Sequence, residues 1–169
     1  MYRNGTFFII IKSMIWNDEL KCYCINNLQA IDLELLKQKQ VKLLIFDIRG
    51  TIINHQQIDP FFLNLIIKIK QFNCFEVLFA TNNCAYYTNK IFFSLNSINF
   101  KASYLSFACK PFLFRIKKTI SKMRLNNLII DNFSQIAIIG NQLNTDGKLA
   151  KKLHATLLYL NKNGINKNY

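Results

Sequence analysis

Four places in the sequence set residues that can handle a phosphate at the ends of short apolar runs. Asp47 closes the run V-K-L-L-I-F at 41–46 and is followed by Arg49, Gly50 and Thr51. Thr81 and Asn82 close F-E-V-L-F-A at 75–80, and Lys110 stands before Pro111. Gly140 and Asn141 close the apolar run at 135–139, with Asp146 shortly after. Singly, each has a plain structural account: Asp47 can cap a turn, Thr81 and Asn82 can cap a helix, and Lys110 can be a solvated lysine at a helix start. Together they suit phosphoryl transfer. A carboxylate attacks phosphorus to give an acyl phosphate. A hydroxyl and backbone N–H groups hold the phosphate oxygens. A lysine neutralises their charge, and acidic groups hold a Mg²⁺ that screens the meeting of two anions.

Such convergence needs a parallel sheet, whose strand carboxyl ends share one edge. The pattern supplies one. Continuous apolar runs of strand length, at 42–46, 75–80, 135–139 and 155–160, predict strands buried on both faces, with a shorter extended piece at 102–107. Helical spacing predicts helices between them. Phe61, Phe62, Leu65, Ile66 and Ile69 mark one that opens at Asp59-Pro60 and ends near Asn73. Others are expected over 86–95, 112–123 and from Asn144 or Thr145 to Lys152. The alternation predicts an α/β fold: a single Rossmann-like domain over 41–160, mostly parallel, with helices on both faces. Residues 1–40 form an N-terminal preface, expected to hold helices over 18–28 and 32–39, the second capped by Asp32. Residues 161–169 form a polar tail.

The ordered set resembles the haloacid dehalogenase (HAD) superfamily, and more closely its capless IIIA phosphatases, the YqeG-like family. V-K-L-L-I-F-D-I-R-G-T is similar to that family's first motif, a strand followed by D-x-D-x-T. V-L-F-A-T-N-N is similar to the second, a strand ending in S/T-N-N. A-C-K-P-F resembles the third, a K-P pair, and I-A-I-I-G-N-Q-L-N-T-D-G the fourth, G-D-Q-x-x-T-D. The resemblance covers roughly residues 20–160 and implies a phosphatase acting through an aspartyl-phosphate. It makes Asp47 nucleophile and metal ligand, gives Thr81 and Asn82 the phosphoryl group, sets Lys110 to stabilise charge and orient Asp47, and leaves Asp146 as the surviving acid of a Mg²⁺ site. Capless members act on large substrates, and the related mitochondrial phosphatidylglycerophosphate phosphatases act on a membrane lipid.

Two departures bear on activity. The family's second aspartate, two residues after the nucleophile, is Arg49 here. In related phosphatases that acid moves protons, work worth about 10²–10⁴ in rate, which a guanidinium cannot do near neutral pH. The first acid of the fourth motif is Asn141, whose amide oxygen can coordinate Mg²⁺ but brings no charge. Three outcomes are open: a site that binds phosphate through Arg49 and Lys110 without turnover, slow turnover from Asp47, or metal-free chemistry. HAD dehalogenases work without metal on a D-x-Y-G-T motif, but they carry a cap between the first two motifs. Only one helix is expected there in this chain.

Composition bounds the rest. The 169 residues are half hydrophobic, enough for one domain with a real core. The net charge of +13, from 22 Lys+Arg against 9 Asp+Glu, draws polyanions: an anionic membrane, nucleic acid or a phosphorylated ligand. A lysine-rich coding bias would give the same total. The basic residues are spread along the chain with no arginine-rich arm, which argues against nucleic acid. Five cysteines without a C-x-x-C pair fit free thiols in the cytoplasm rather than a disulfide frame or zinc site. Cys84 lies near a helix start without a partner. The apolar run at 7–11 is too short to span a bilayer but, with Met14, Ile15 and Trp16, suits peripheral contact with a membrane surface. His55, just after the first motif, can approach the site, though a lone surface histidine is the plainer reading, and His154 reads as structural.

Overall fold

The computed structural model describes residues 14–125 and 130–161. The apolar run expected at 7–11 and the polar tail beyond residue 161 lie outside the described residues. Seven strands form one sheet: β1 (Ile15–Asn17), β2 (Cys22–Ile25), β3 (Leu43–Asp47), β6 (Glu76–Ala80), β7 (Ser103–Leu105), β8 (Ile136–Gly140) and β9 (Thr156–Leu160), in the order β1-β2-β9-β8-β3-β6-β7. Every neighbouring pair is parallel except β1 with β2. A two-residue pair, β4 (Ile53–Asn54) and β5 (Gln57–Ile58), makes a small separate hairpin. The α/β, mostly parallel architecture follows the sequence expectation.

Alternation along the strands builds two cores. Leu44 and Phe46 of β3, with Val77 and Phe79 of β6, face a cluster shared with helices α1 (Leu33–Gln38), α2 (Phe62–Phe72) and α3 (Ala85–Asn96). Leu43 and Ile45, with Leu78 and Ala80, face the other cluster, covered by α4 (Phe114–Leu125) and α5 (Lys148–Leu153). Both faces of β3 are thus buried, which is why its run is apolar without interruption. α1 begins where expected: the Asp32 carboxylate caps it by accepting from Leu35 N at 2.9 Å. α2 starts two residues later than Pro60 suggests, with Asp59 Oδ1 accepting from Phe61 N ahead of it.

Two expectations are corrected. The helix expected over 18–28 is the β1–β2 hairpin followed by a 3-10 turn at Leu28–Ala30. Cys22 and Cys24 point into the core while Tyr23 lies against Trp16 across the ladder, ring centroids 5.0 Å apart. That is a strand period of two, which the acidic Asp18-Glu19 start disguises as a helix. β2 also pairs with β9, so residues before 41 belong to the main sheet. The second correction is the β4–β5 hairpin, which stands where a turn leading straight into one helix was expected.

β3 pairs with β8 on one side and β6 on the other. The chain passes from β3 to β6 and β7 on one side, then returns to β8 and β9 on the other. The point where strand order reverses therefore lies beside the carboxyl end of β3.

A candidate active site at the end of the central strand

Asp47 is the last residue of β3, and the chain turns sharply after it. Ile52 N and Ile53 N both donate to Ile48 O, at 2.9 and 2.8 Å, and Gly50 N donates to Ile53 O at 2.8 Å. Gly50 takes φ +85°, and a Cβ there would lie 2.3 Å from Asn141 Nδ2. Glycine is thus required twice over, for the left-handed backbone and for the close approach of the β8 end. Thr51, fully buried, sets its hydroxyl 3.3 Å from both Asp47 Oδ2 and Asn141 Oδ1. Its single proton can serve one of them at a time.

Lys110 reaches the site from the loop after β7. The Asn82 side chain holds its backbone at both polar groups: Oδ1 accepts from Lys110 N at 2.7 Å and Nδ2 donates to Lys110 O at 2.9 Å. Ala108 N on Thr81 O, and Phe107 N on Asn83 O, stitch the same loop to the end of β6. Asp146 arrives through a π-helical turn at Leu143–Gly147, which puts an extra residue into the turn and swings its carboxylate back over β8. A Cβ on Gly140 would overlap that carboxylate at 2.3 Å.

These elements bring three charges together out of solvent. Asp47, Lys110 and Asp146 are 8, 6 and 1% exposed. The Lys110 ammonium donates to Asp47 Oδ1 at 2.6 Å and to Asp146 Oδ1 at 2.7 Å. Asp146 Oδ2 accepts from Gln142 N at 3.2 Å. One ammonium serves two carboxylates, so the dry cluster holds one negative charge too many. Burial pushes the Asp47 carboxyl up from its ordinary 3.8 to about 6; Lys110 pulls it down, but Asp146 adds to the rise. Burial works to lower the Lys110 ammonium, and the two carboxylates outweigh it, so that its pKa is raised. Lys110 therefore stays charged between the two carboxylates.

Above the cluster opens a cavity of about 690 Å³. Asp47, Arg49, Asn82, Lys110 and Asn141 lie on its wall. The exposed Arg49 guanidinium makes no ion pair or side-chain hydrogen bond among the described residues, so it is available to an anion. Thr81 is set back from this wall. It is fully buried, and its hydroxyl accepts from Asn83 N at 3.2 Å. Asn82 is on the wall, but its amide is spent on Lys110. Of the seven residues singled out in sequence, the structure joins Asp47, Lys110 and Asp146 directly, sets Arg49, Asn82 and Asn141 around the opening, and leaves Thr81 behind it.

Two wall residues had no strong sequence signal. His55 and Gln56 form the tip of the β4–β5 hairpin and face the same cavity. Both are left-handed, at φ 45° and 65°, a conformation that costs non-glycine residues about 1–2 kcal/mol each. The Lys90 ammonium of α3 donates to Gln56 O and ties the tip down.

Asp47, Asn141 and Asp146 are the residues the resemblance implies for Mg²⁺, and they are a poor match to it. Among the described residues no three His, Cys, Asp or Glu side chains gather as ligands. Hard divalent cations want several oxygen donors, and here the ammonium already lies between Asp47 and Asp146. The second oxygen of Asp146 is held by backbone. The thiols add nothing to the site: all five cysteines are free, and burial beside Cys24 pushes Cys22 up to about 12. Among the described residues no helix is long and apolar enough to cross a membrane. No protein-family model matches the sequence, and no curated protein matches it.

Proposed function

We propose that the chain is a capless HAD-type phosphatase that moves the phosphoryl group of a phosphomonoester onto Asp47. The carrying observation is the geometry of the charges. A buried carboxylate at the end of the central strand shares one ammonium with a second carboxylate, under a cavity whose wall presents an unpaired guanidinium. The phosphate dianion is drawn in by Arg49 and meets Lys110 at the floor, which offsets the charge building on its oxygens. An Asp47 oxygen attacks phosphorus, the ester P–O bond breaks, and water then hydrolyses the acyl phosphate. The pKa near 6 leaves Asp47 ionised at neutral pH yet more basic than an ordinary aspartate. The positive charge of the step comes from Lys110 and Arg49. Support for a lipid phosphate such as phosphatidylglycerophosphate comes from the family resemblance and the +13 charge, which favours an anionic surface.

A second reading, phosphate binding without turnover, is favoured by Arg49 itself, since it occupies the position where the resembled family keeps a proton-exchanging acid. One experiment separates the two. Phosphate release from phenyl phosphate and from phosphatidylglycerophosphate is followed in EDTA and in Mg²⁺, beside Asp47→Asn, with intact mass to detect phosphoryl-protein. Release that survives EDTA and disappears in Asp47→Asn is expected. Absence of both release and covalent phosphate, with inorganic phosphate binding that is lost in Arg49→Ala, would leave the binding module standing instead.

A further inference from the structure

We infer that His55 is the proton-transfer residue of this site, in the role that Arg49 cannot fill. The inference rests on the phosphoryl-transfer reading above and assigns the step that reading leaves open. Expulsion of an alkoxide from phosphorus needs a proton, and attack by water needs one removed. Around the cavity the exchangeable groups are few. Asp47 is the nucleophile, Lys110 is held charged by two carboxylates, and Arg49 does not release its proton. Tyr87 is a phenol, less often used for this work than an imidazole. Among the described residues on the wall, that leaves the His55 imidazole, whose two ring nitrogens can give and take a proton.

Placement and strain point the same way. The hairpin that carries His55 hangs from the nucleophile's own turn: Ile53, its first residue, bridges Arg49, and its carbonyl accepts from Gly50 N. His55 is two residues further along, roughly 7 Å by strand rise, so the hairpin carries it out over the cavity. A two-residue turn with both residues left-handed calls for Asn-Gly; His-Gln sits there instead, locked by Lys90 on Gln56 O. Strain of this kind, held in place by a tether at a cavity rim, is the sort kept for function. The charged and titratable groups around His55 are Arg49, Asp47 and Lys110 across the cavity, with Tyr87 and Lys90 from α3. In the first step the imidazolium gives its proton to the leaving oxygen as the P–O bond breaks. In the second, the neutral imidazole takes a proton from the attacking water. The P–O bond to Asp47 then breaks, and carboxylate, phosphate and imidazolium are restored.

The test compares wild type with His55→Asn, which keeps a residue at home in a left-handed turn. Single-turnover phosphorylation of Asp47 is read by intact mass with acetyl phosphate, whose acetate leaves without a proton, and with ethyl phosphate, whose alkoxide does not. His55→Asn is expected to lower the ethyl phosphate rate by about 10²-fold or more while leaving the acetyl phosphate rate within a few-fold. Equal loss on both donors would mean a structural role and overturn the inference, and so would no loss on ethyl phosphate. Wild type that takes no phosphoryl group from acetyl phosphate would overturn the Asp47 reading, and this inference with it.

Discussion

Asp47→Asn is expected to make the protein more stable at neutral pH while removing its chemistry. The folded protein raises the Asp47 pKa from 3.8 to about 6, so the native state binds this proton more tightly than the unfolded chain does. The sign follows: the stability this group contributes is complete below pH 3.8 and is lost as pH climbs through about 6. The rise corresponds to about 3 kcal/mol, an upper figure for what the ionised carboxylate costs at pH 7. Asparagine keeps the shape without the charge. Its oxygen can accept from Lys110, and its amide can donate to the Thr51 hydroxyl, which is then free to donate to Asn141. For a domain of this size each kcal/mol moves the melting temperature about 2–4 °C, so Asp47→Asn should melt up to about 6–12 °C above wild type at pH 7. The gap should close at pH 4, where wild type is protonated. Thermal melts from pH 4 to 8 on both proteins decide it. A variant that melts below wild type at pH 7 would mean that the Lys110–Asp47 attraction outweighs burial, and would refute the charge-excess argument.

Other consequences are as direct. Lys110→Met leaves two buried carboxylates facing each other without a cation and should cost about 3–5 kcal/mol at pH 7, less at pH 4, as urea titrations at the two pH values will read. Gly50→Ala forces a left-handed alanine and drives its methyl onto Asn141; a loss of at least about 1–2 kcal/mol in the same titration is expected. Gln56→Gly relieves one strained residue and should add about 1 kcal/mol, seen as a small rise in melting temperature. Asn82→Ala removes both bonds that hold the Lys110 backbone; it should lower phosphorylation from acetyl phosphate more than it lowers inorganic phosphate affinity.

The strands at 43–47, 76–80, 136–140 and 156–160 were legible because burial on both faces leaves no room for polar residues, so the run itself gives length and place. That Asp47, Lys110 and Asp146 could converge followed from parallel order, which puts strand ends on one edge; their direct contact depends on the loop after β7 and the turn after β8. What stayed hidden depends on packing that no local pattern records. Cys22 and Cys24 mark a strand only once a neighbour, β9, exists to bury them. The β4–β5 hairpin escaped because His55-Gln56 lacks the Asn-Gly signature of its turn. Asn82 was expected to face a phosphate, and nothing in T-N-N says that its amide will turn to the Lys110 backbone 28 residues on. His55 had position but no chemical partner in sequence; only the folded hairpin brings it to the cavity.

The order β2-β9-β8 also has a consequence for how the chain is made. Tyr23 pairs with Leu158, so a segment near the start of the described residues must wait for one translated more than a hundred residues later, near their end. Until β9 emerges, β2 and β8 are two open edges with unpaired backbone and apolar faces, and closing so long a loop is slow. The half built from β3, β6 and β7 with α2 and α3 can consolidate first, and Asp47 is fixed with it. Asp146 comes into register only when β8 and the turn after it dock. During synthesis on the ribosome the exposed β8 edge is the segment most open to wrong partners, and a chaperone that shields it would matter more than one acting on the completed sheet.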